Sequence, residues 1–307
     1  MSSAGKTYSV PSRDNNINFL RFIAASLVIW FHMASLLAIP EPYIMGQGLG
    51  PIAVNIFFVL SGYLIAKSWT RSSSFGSYLI RRIARIFPGL AVVILLSVFV
   101  MGPIVTSLPL GDYFADAGTW KYLSLIVLAP ISNVLPGVFD ANPLPYAVNG
   151  SLWTLRYEFL AYLLTPLLYA ATKKLCGGRK LVFAVVLAVL VLVHFLSYSG
   201  LYPLPKVLDN LFRLFAYYMA GVAVLELGLD KYCDSQFAVV ALLVIIVFRD
   251  QVGIFSSLIM FVCVCTFTLG FSLTSNPRFA PCFKKNDYSY GIYIYAFPIQ
   301  QCVVWLG

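Results

Sequence analysis

Apolar positions are gathered into long, nearly unbroken runs, separated by short polar or basic breaks. A helix needs close to twenty apolar residues to cross a bilayer core. Runs of about that length fall at 18–39, 50–68, 82–103, 151–172, 181–199, 210–228, 236–249, 253–275 and 288–307, the seventh being short. They predict an all-α fold, a polytopic transmembrane helix bundle of about nine or ten membrane helices, forming one integral-membrane domain over 1–307. The last run is still apolar at Gly307, which leads us to expect a further span beyond it.

The segment 120–139 breaks the pattern. It is apolar, but Pro130 and Pro136 interrupt it, and Asp116 and Asp140 bound it. If it does not span, the basic stretches Lys67–Arg85, Lys173–Lys180 and Arg278–Lys285 all share the side of the N-terminus. Positive charge favours the cytoplasmic face, so the N-terminus is expected inside. The segment is then re-entrant or surface-lying and shielded by protein, and loop 104–150 faces out.

Composition makes lipid the solvent. Of 307 residues, 60% are hydrophobic and 11% charged, and the mean hydropathy of +0.84 exceeds what one water-soluble core could hide. The net charge of +9 sits in short clusters between apolar runs, where it orients a membrane protein; nucleic acid is not an expected partner. Cys176, Cys233, Cys263, Cys265, Cys282 and Cys302 have neither metal-ligand spacing nor a small disulfide framework, so they read as structural. The first apolar run is too long for a cleaved signal peptide and reads as a retained helix.

Ionisable groups inside a bilayer are costly and mark function, which singles out Arg21, His32 and Glu158. Arg21 and His32 are eleven residues apart, roughly 1,100° of helix, so they share a face and are separated by about 16 Å. Arg21 then lies near the cytoplasmic side and His32 in the outer half. Glu158, on a helix running the other way from near Ser151, is expected at the depth of His32. There a carboxylate could fix the imidazole tautomer for general-base work, although His32 as a satisfied polar residue and Glu158 salt-bridged to Arg156 are the plain alternatives. Arg81, Arg82 and Arg85 in YLIRRIARIFP begin a helix on one side. They suit phosphate oxygens or serve as an ordinary positive-inside anchor. His194 reads as packing. No Gly-rich phosphate loop, nucleophile elbow or HExxH is present, and Ser61 in VLSGY lacks the setting of an activated serine, so no metal site is expected.

Read together, NFLRFIAASLVIWFH, NIFFVLSGYLI, YLIRRIARIFP, NGSLWTLRYEFLAYLL and DYSYGIYIYAFPIQ resemble, in order and over nearly the whole chain, the membrane acyltransferase-3 family, which includes O-antigen and exopolysaccharide acetylases. The resemblance implies a multi-pass enzyme of the bacterial inner membrane with no bound cofactor. It implies acetyl-CoA or another acyl-CoA as donor and a carbohydrate hydroxyl as acceptor. Arg21 with Arg81, Arg82 and Arg85 would hold the donor phosphates and His32 would act as base, with Glu158 orienting it. Asn149, Ser151 and Trp153 would line the acceptor side. Two departures stand out. Asn18 occupies a position where the family often has Asp, which bears on how Arg21 is oriented. Ala296 stands where many relatives have His, leaving His32 as the base. A transporter or flippase for an envelope carbohydrate is the alternative from another class, since intramembrane His, Arg and Glu also build relays.

Overall fold

A computed structural model describes residues 15–129, 134–172, 178–274, 283 and 287–307. The basic positions Lys173, Lys174, Arg278 and Lys285, together with Cys176, Cys282 and Pro130, lie outside them. Among the described residues there are eleven α-helices and one two-residue hairpin. Every one of the nine apolar runs is a helix.

Helix α1 (Ile17–Leu36) leads through the hairpin β1 (Tyr43–Ile44) and β2 (Gln47–Gly48) into α2 (Leu49–Thr70). The hairpin reverses at Met45 and Gly46, both with positive φ. Then comes α3 (Phe75–Val105), whose ladder loosens into a π-turn at Ser97–Met101. Two short helices, α4 (Leu110–Ala115) and α5 (Ala117–Tyr122), follow, and then a 3₁₀ turn at Leu123–Val127. The later helices are α6 (Leu155–Thr172), α7 (Arg179–Tyr198), α8 (Lys206–Leu227), α9 (Ser235–Val247), α10 (Ser256–Leu273) and α11 (Ser289–Leu306). Among the described residues six helices, α1, α2, α3, α7, α8 and α10, are long and apolar enough to cross a membrane by length and composition.

Burial sorts these helices into a centre and a rim. Helix α2 is apolar on all sides and buried over most of its length, as a helix enclosed by others must be. It lies closest to α8. A Cβ on Gly62 would stand 1.9 Å from the Tyr218 carbonyl oxygen, and one on Gly221 2.1 Å from that of Val59. The two backbones touch through these glycines, the small-residue packing that membrane helices favour. Helix α7 is at the rim: Phe183 and His194 are its buried residues, while Leu181, Val185, Val189 and Leu192 form an exposed apolar stripe suited to lipid.

Three of the boundaries that differ from the sequence reading have a visible local cause. Helix α1 stops at Leu36 rather than 39, because Ala38 turns to φ 53° shortly before Pro40. Helix α3 starts at Phe75 rather than 82, since Ser74 caps it by accepting from the Ser77 N–H at 3.1 Å. Arg81, Arg82 and Arg85 therefore lie a full turn or more inside it. Helix α6 starts at Leu155 rather than 151, after a 3₁₀ turn at Leu152–Thr154.

The chain before α6 explains that last shift. It runs along α11 inside the protein: Asn142 Nδ2 donates to the Gln301 carbonyl at 3.1 Å, Asn149 Nδ2 to the Ile294 carbonyl at 2.8 Å, and Thr154 meets the Tyr293 hydroxyl at 2.7 Å. Successive partners step back along α11, so this irregular strand descends into the bundle with its polar backbone covered. Over 120–129 the structure has one short helix and a 3₁₀ turn, no spanning helix.

Candidate active site

Arg21 and Arg85 meet at a single carboxylate. Asp287, just before α11, accepts from Arg85 Nη2 at 2.8 Å, and the same oxygen lies 3.2 Å from Arg21 Nε. Arg21 Nε also donates to Ser289 Oγ at 3.1 Å, and the Arg21 guanidinium carbon stands 5.7 Å from the Phe57 ring centre. The Ser289 backbone N–H and hydroxyl both donate to the other Asp287 oxygen, at 3.1 and 2.5 Å. Burial works against ionisation of Asp287, but Arg21, the Ser289 hydroxyl and Arg85 hold its carboxyl at about 2.

Arg21, Phe57, Arg85 and Ser289 line a cleft whose empty volume is about 490 Å³, including its open part. Its walls are Arg21 from α1, Phe57, Phe58 and Ser61 from α2, Arg85 and Ile86 from α3, Thr154 and Glu158 at the start of α6, and Ser289, Tyr290 and Tyr293 from α11. Five helices thus each contribute a polar group. Glu158 accepts from Ser61 Oγ at 3.3 Å and from the Tyr162 hydroxyl. Tyr290 donates to the Ile86 carbonyl at 2.6 Å, tying α11 to α3. The cleft carries two guanidiniums and the Glu158 carboxylate, with apolar rings between them, and Asp287 holds both guanidiniums from behind the lining.

The sequence candidates separate into those the fold brings together and those it does not. Arg21, Arg85 and Glu158 share the cleft. Arg82 is set between the Tyr78 and Tyr162 rings, 5.9 Å from each centre. Arg81 is exposed and donates to Ser72 Oγ. His32 is buried further along α1, its ring edge-on to Phe297 at 4.8 Å and its Nδ1 enclosed with no hydrogen-bond partner among the described residues. The expected pairing of Glu158 with His32 is not there. Because the descending strand starts α6 deep in the bundle, Glu158 reaches the level of Arg21 instead, and its partners are Ser61 and Tyr162. Asn149 accepts from the Ser151 N–H at 3.1 Å as well as bonding α11, so it pins the strand. Ser151 Oγ is buried without a partner among the described residues, and Trp153 packs on Tyr157. Asn18 donates to the Phe283 carbonyl at 2.9 Å and leaves Arg21 to Asp287. Sequence reasoning missed Asp287, Ser289 and Tyr162; an acidic residue immediately before the last apolar run was the available signal. No group of three or more metal-ligating side chains exists among the described residues.

The model of the acyltransferase domain family matches residues 14–303, almost the whole chain. The chain belongs to the acyltransferase-3 family. It is a multi-pass membrane acyltransferase, and the cleft joins helices from both ends of its family domain. Among its relatives, the O-acetyl transferase of Shigella phage Sf6 is 33% identical over 299 residues, covering 95% of this chain and 86% of that protein. Nodulation protein 10 of Rhizobium leguminosarum bv. viciae is 29% identical over 182 residues, 56% of this chain and 48% of its own length. Peptidoglycan O-acetyltransferase OatA of Listeria monocytogenes is 31% identical over 191 residues, 58% of this chain and 27% of its own. No solved structure matches the acyltransferase.

Proposed function

We propose that this acyltransferase moves an acetyl group from acetyl-CoA, supplied from the cytoplasm, to a hydroxyl of a cell-envelope or exported carbohydrate at the bacterial inner membrane. The observation that carries the reading is the convergence on one carboxylate oxygen of Arg21 and Arg85, which both line a cleft. Two guanidiniums already arranged around an anion can take phosphate oxygens in its place through charge-assisted bonds. The relative from phage Sf6, similar over nearly the full length, supports the acetyl group and oxygen acceptor. In this reading the N-terminus is cytoplasmic, the donor's charged end stays near Arg21, and its thin acyl-bearing arm extends along α1 toward His32, about 16 Å further on.

His32 acts there as general base. As the acceptor oxygen attacks the thioester carbonyl, a new C–O bond forms, the acceptor proton passes to the imidazole, the C–S bond breaks, and the thiolate leaves and is protonated. Glu158 does not orient the imidazole; with Tyr162 and Ser61 it shapes the wall between the arginines and the reacting end. Asn149, Ser151 and Trp153, on the descending strand, lie toward the acceptor, with Asn149 fixing the strand's course.

The test is transfer of radiolabelled acetyl from acetyl-CoA to envelope glycan in membranes holding equal amounts of wild type, His32→Ala or Glu158→Gln. Label in glycan with wild type and none with His32→Ala supports the reading. No label with wild type removes acetyl-CoA or carbohydrate from it, and full activity in His32→Ala removes the base.

A further inference from the structure

Helices α1 and α11 run side by side in one direction, with Arg21 bonded to Ser289 near the start of the contact and His32 against Phe297 further along. On α11 the cleft wall holds Ser289, Tyr290 and Tyr293. Phe297 follows Tyr293 by four residues and therefore continues the same face. On α1, Ala25 and Val28 lie between Arg21 and His32 on their shared face, and both are buried. Among the described residues the cleft wall stops short of His32. The way from the cleft to the imidazole ends at the Phe297 ring.

That ring is fixed in place. A Cβ built on Gly150 would stand 2.6 Å from Phe297 Cε2 and 3.0 Å from Cζ, so the ring packs directly on the backbone of the descending strand, which the missing side chain of Gly150 allows. The same ring stands near perpendicular to that of His32, with centres 4.8 Å apart, and Phe297 is buried. The backbone that carries it is held as well. Pro298 has no N–H to offer the Ile294 carbonyl one turn back. Asn149 Nδ2 takes that place at 2.8 Å, and the Ser151 N–H holds Asn149 in turn at 3.1 Å. Beyond the proline, Gln300 Nε2 donates to the Ile29 carbonyl of α1 at 3.0 Å, one turn before His32. Strand, phenyl ring and imidazole thus form one layer.

A general base works within hydrogen-bond reach of the hydroxyl it deprotonates, and that hydroxyl lies against the carbonyl it attacks. The thioester carbonyl is therefore brought beside the imidazole, and the acyl chain beyond it must lie in whatever surrounds the imidazole. Phe297 fills that space. A methyl group asks little of it, but each further methylene has to displace the ring, and the ring is already packed on the strand backbone. We propose that Phe297 is the specificity-determining residue for the acyl group, its ring limiting the donor to a short acyl chain. The inference rests on the reading of His32 as base and an acyl-CoA as donor, and it fixes the size of the group transferred. The ring touches the acyl chain and takes no part in proton transfer, and Gly150 supplies the surface that backs it.

The test is transfer of label to envelope glycan from radiolabelled acetyl-, butyryl- and hexanoyl-CoA in membranes holding wild type, Phe297→Ala or Phe297→Leu. Wild type favours acetyl over butyryl by about tenfold or more in kcat/KM, the usual worth of a size limit in an apolar pocket. Phe297→Ala reverses the order, hexanoyl transfer rising while acetyl transfer falls. Phe297→Leu removes less volume and keeps an apolar filling, so it raises butyryl transfer and leaves hexanoyl transfer low. A ring with a purely structural role would lower all three donors alike, so the ratio between donors gives the answer even at reduced protein level. A wild type that uses butyryl or hexanoyl as well as acetyl overturns the inference, as do variants whose donor ratios match wild type or that both lose all transfer. In each of those cases acyl transfer by wild type leaves the proposed function standing. A wild type that transfers no acyl group removes the proposed function and the inference with it.

Discussion

Arg21 Nε lies 3.2 Å from Asp287 Oδ2, joining the second turn of the first described helix to the residue that leads into the last. Arg85, on a third helix, reaches the same oxygen. Three segments far apart in sequence are thereby locked at one point, and the acyltransferase cleft opens around it. The lock is electrostatic and mostly enclosed: the Arg21 side chain is 9% and that of Asp287 21% exposed. In such surroundings, removing one partner leaves the others unneutralised and costs more than the pair itself contributes.

The three arginines of YLIRRIARIFP have different duties and separate by kinetics. Arg85→Ala removes a cleft cation and raises the KM for acetyl-CoA by about 10- to 100-fold, the equivalent of one charge-assisted bond. Arg81 is exposed and bonded to Ser72, so Arg81→Ala changes that KM by about twofold or less, as for a surface charge. Initial rates in proteoliposomes over a range of acetyl-CoA check the pair. Equal effects would remove Arg85 from the donor site.

Acid unlocks the cleft in a defined window. The Asp287 carboxyl is held at about 2, below its ordinary value of 3.8. A depressed carboxyl contributes stability that is fully present above the ordinary value and is lost as pH falls through the folded one. The wild-type Tm in detergent is therefore flat from neutral pH down to about 5 and falls between about 4 and 2, whereas Asp287→Asn starts from a lower Tm and lacks that component of the fall. Scanning calorimetry or dye-based melting of both proteins across pH checks this, and parallel acid profiles would sink it.

His32 and Glu158 separate chemistry from architecture. The His32 Nδ1 has no hydrogen-bond partner among the described residues, so His32→Ala leaves folding nearly intact while lowering turnover by about 10² to 10⁴, the usual worth of a general base. Glu158→Gln keeps an acceptor for Ser61 and Tyr162 but removes a cleft charge. Its effect is on donor KM rather than on the pH dependence of turnover. A pH–rate profile shifted by Glu158→Gln would restore the direct coupling to His32 that the geometry lacks.

The helices were legible because lipid imposes them: a run of about twenty apolar residues has few other fates. Arg21 and Glu158 were legible as costly intramembrane charges. What periodicity missed was depth. A helix boundary set by the end of an apolar run takes no account of Asn142, Asn149 and Thr154, which draw an irregular strand down along α11 and start α6 several residues late. That displacement moved Glu158 from the expected level of His32 to that of Arg21. Asp287 was overlooked for a related reason. It sits outside any apolar run, and its importance comes from two partners brought by other helices.

The contact between α2 and α8 sets the frame on which the cleft hangs, since α2 carries Ser61 in the cleft wall. At Gly62 and Gly221 an added Cβ would fall about 2 Å from a carbonyl oxygen of the facing helix. Those obstacles are backbone, not the tip of a flexible side chain, so the helices themselves must separate. Overpacking of a core typically costs about 1–3 kcal/mol. Here the cost exceeds that range, because both helices are fixed by further partners along their length. Gly62→Ala and Gly221→Ala therefore give little folded protein, seen as loss of the monodisperse peak in detergent gel filtration, whereas Gly76→Ala, where nothing lies within 4 Å, expresses as wild type. A Gly62→Ala protein with normal yield and Tm would mean that α2 and α8 do not meet backbone to backbone.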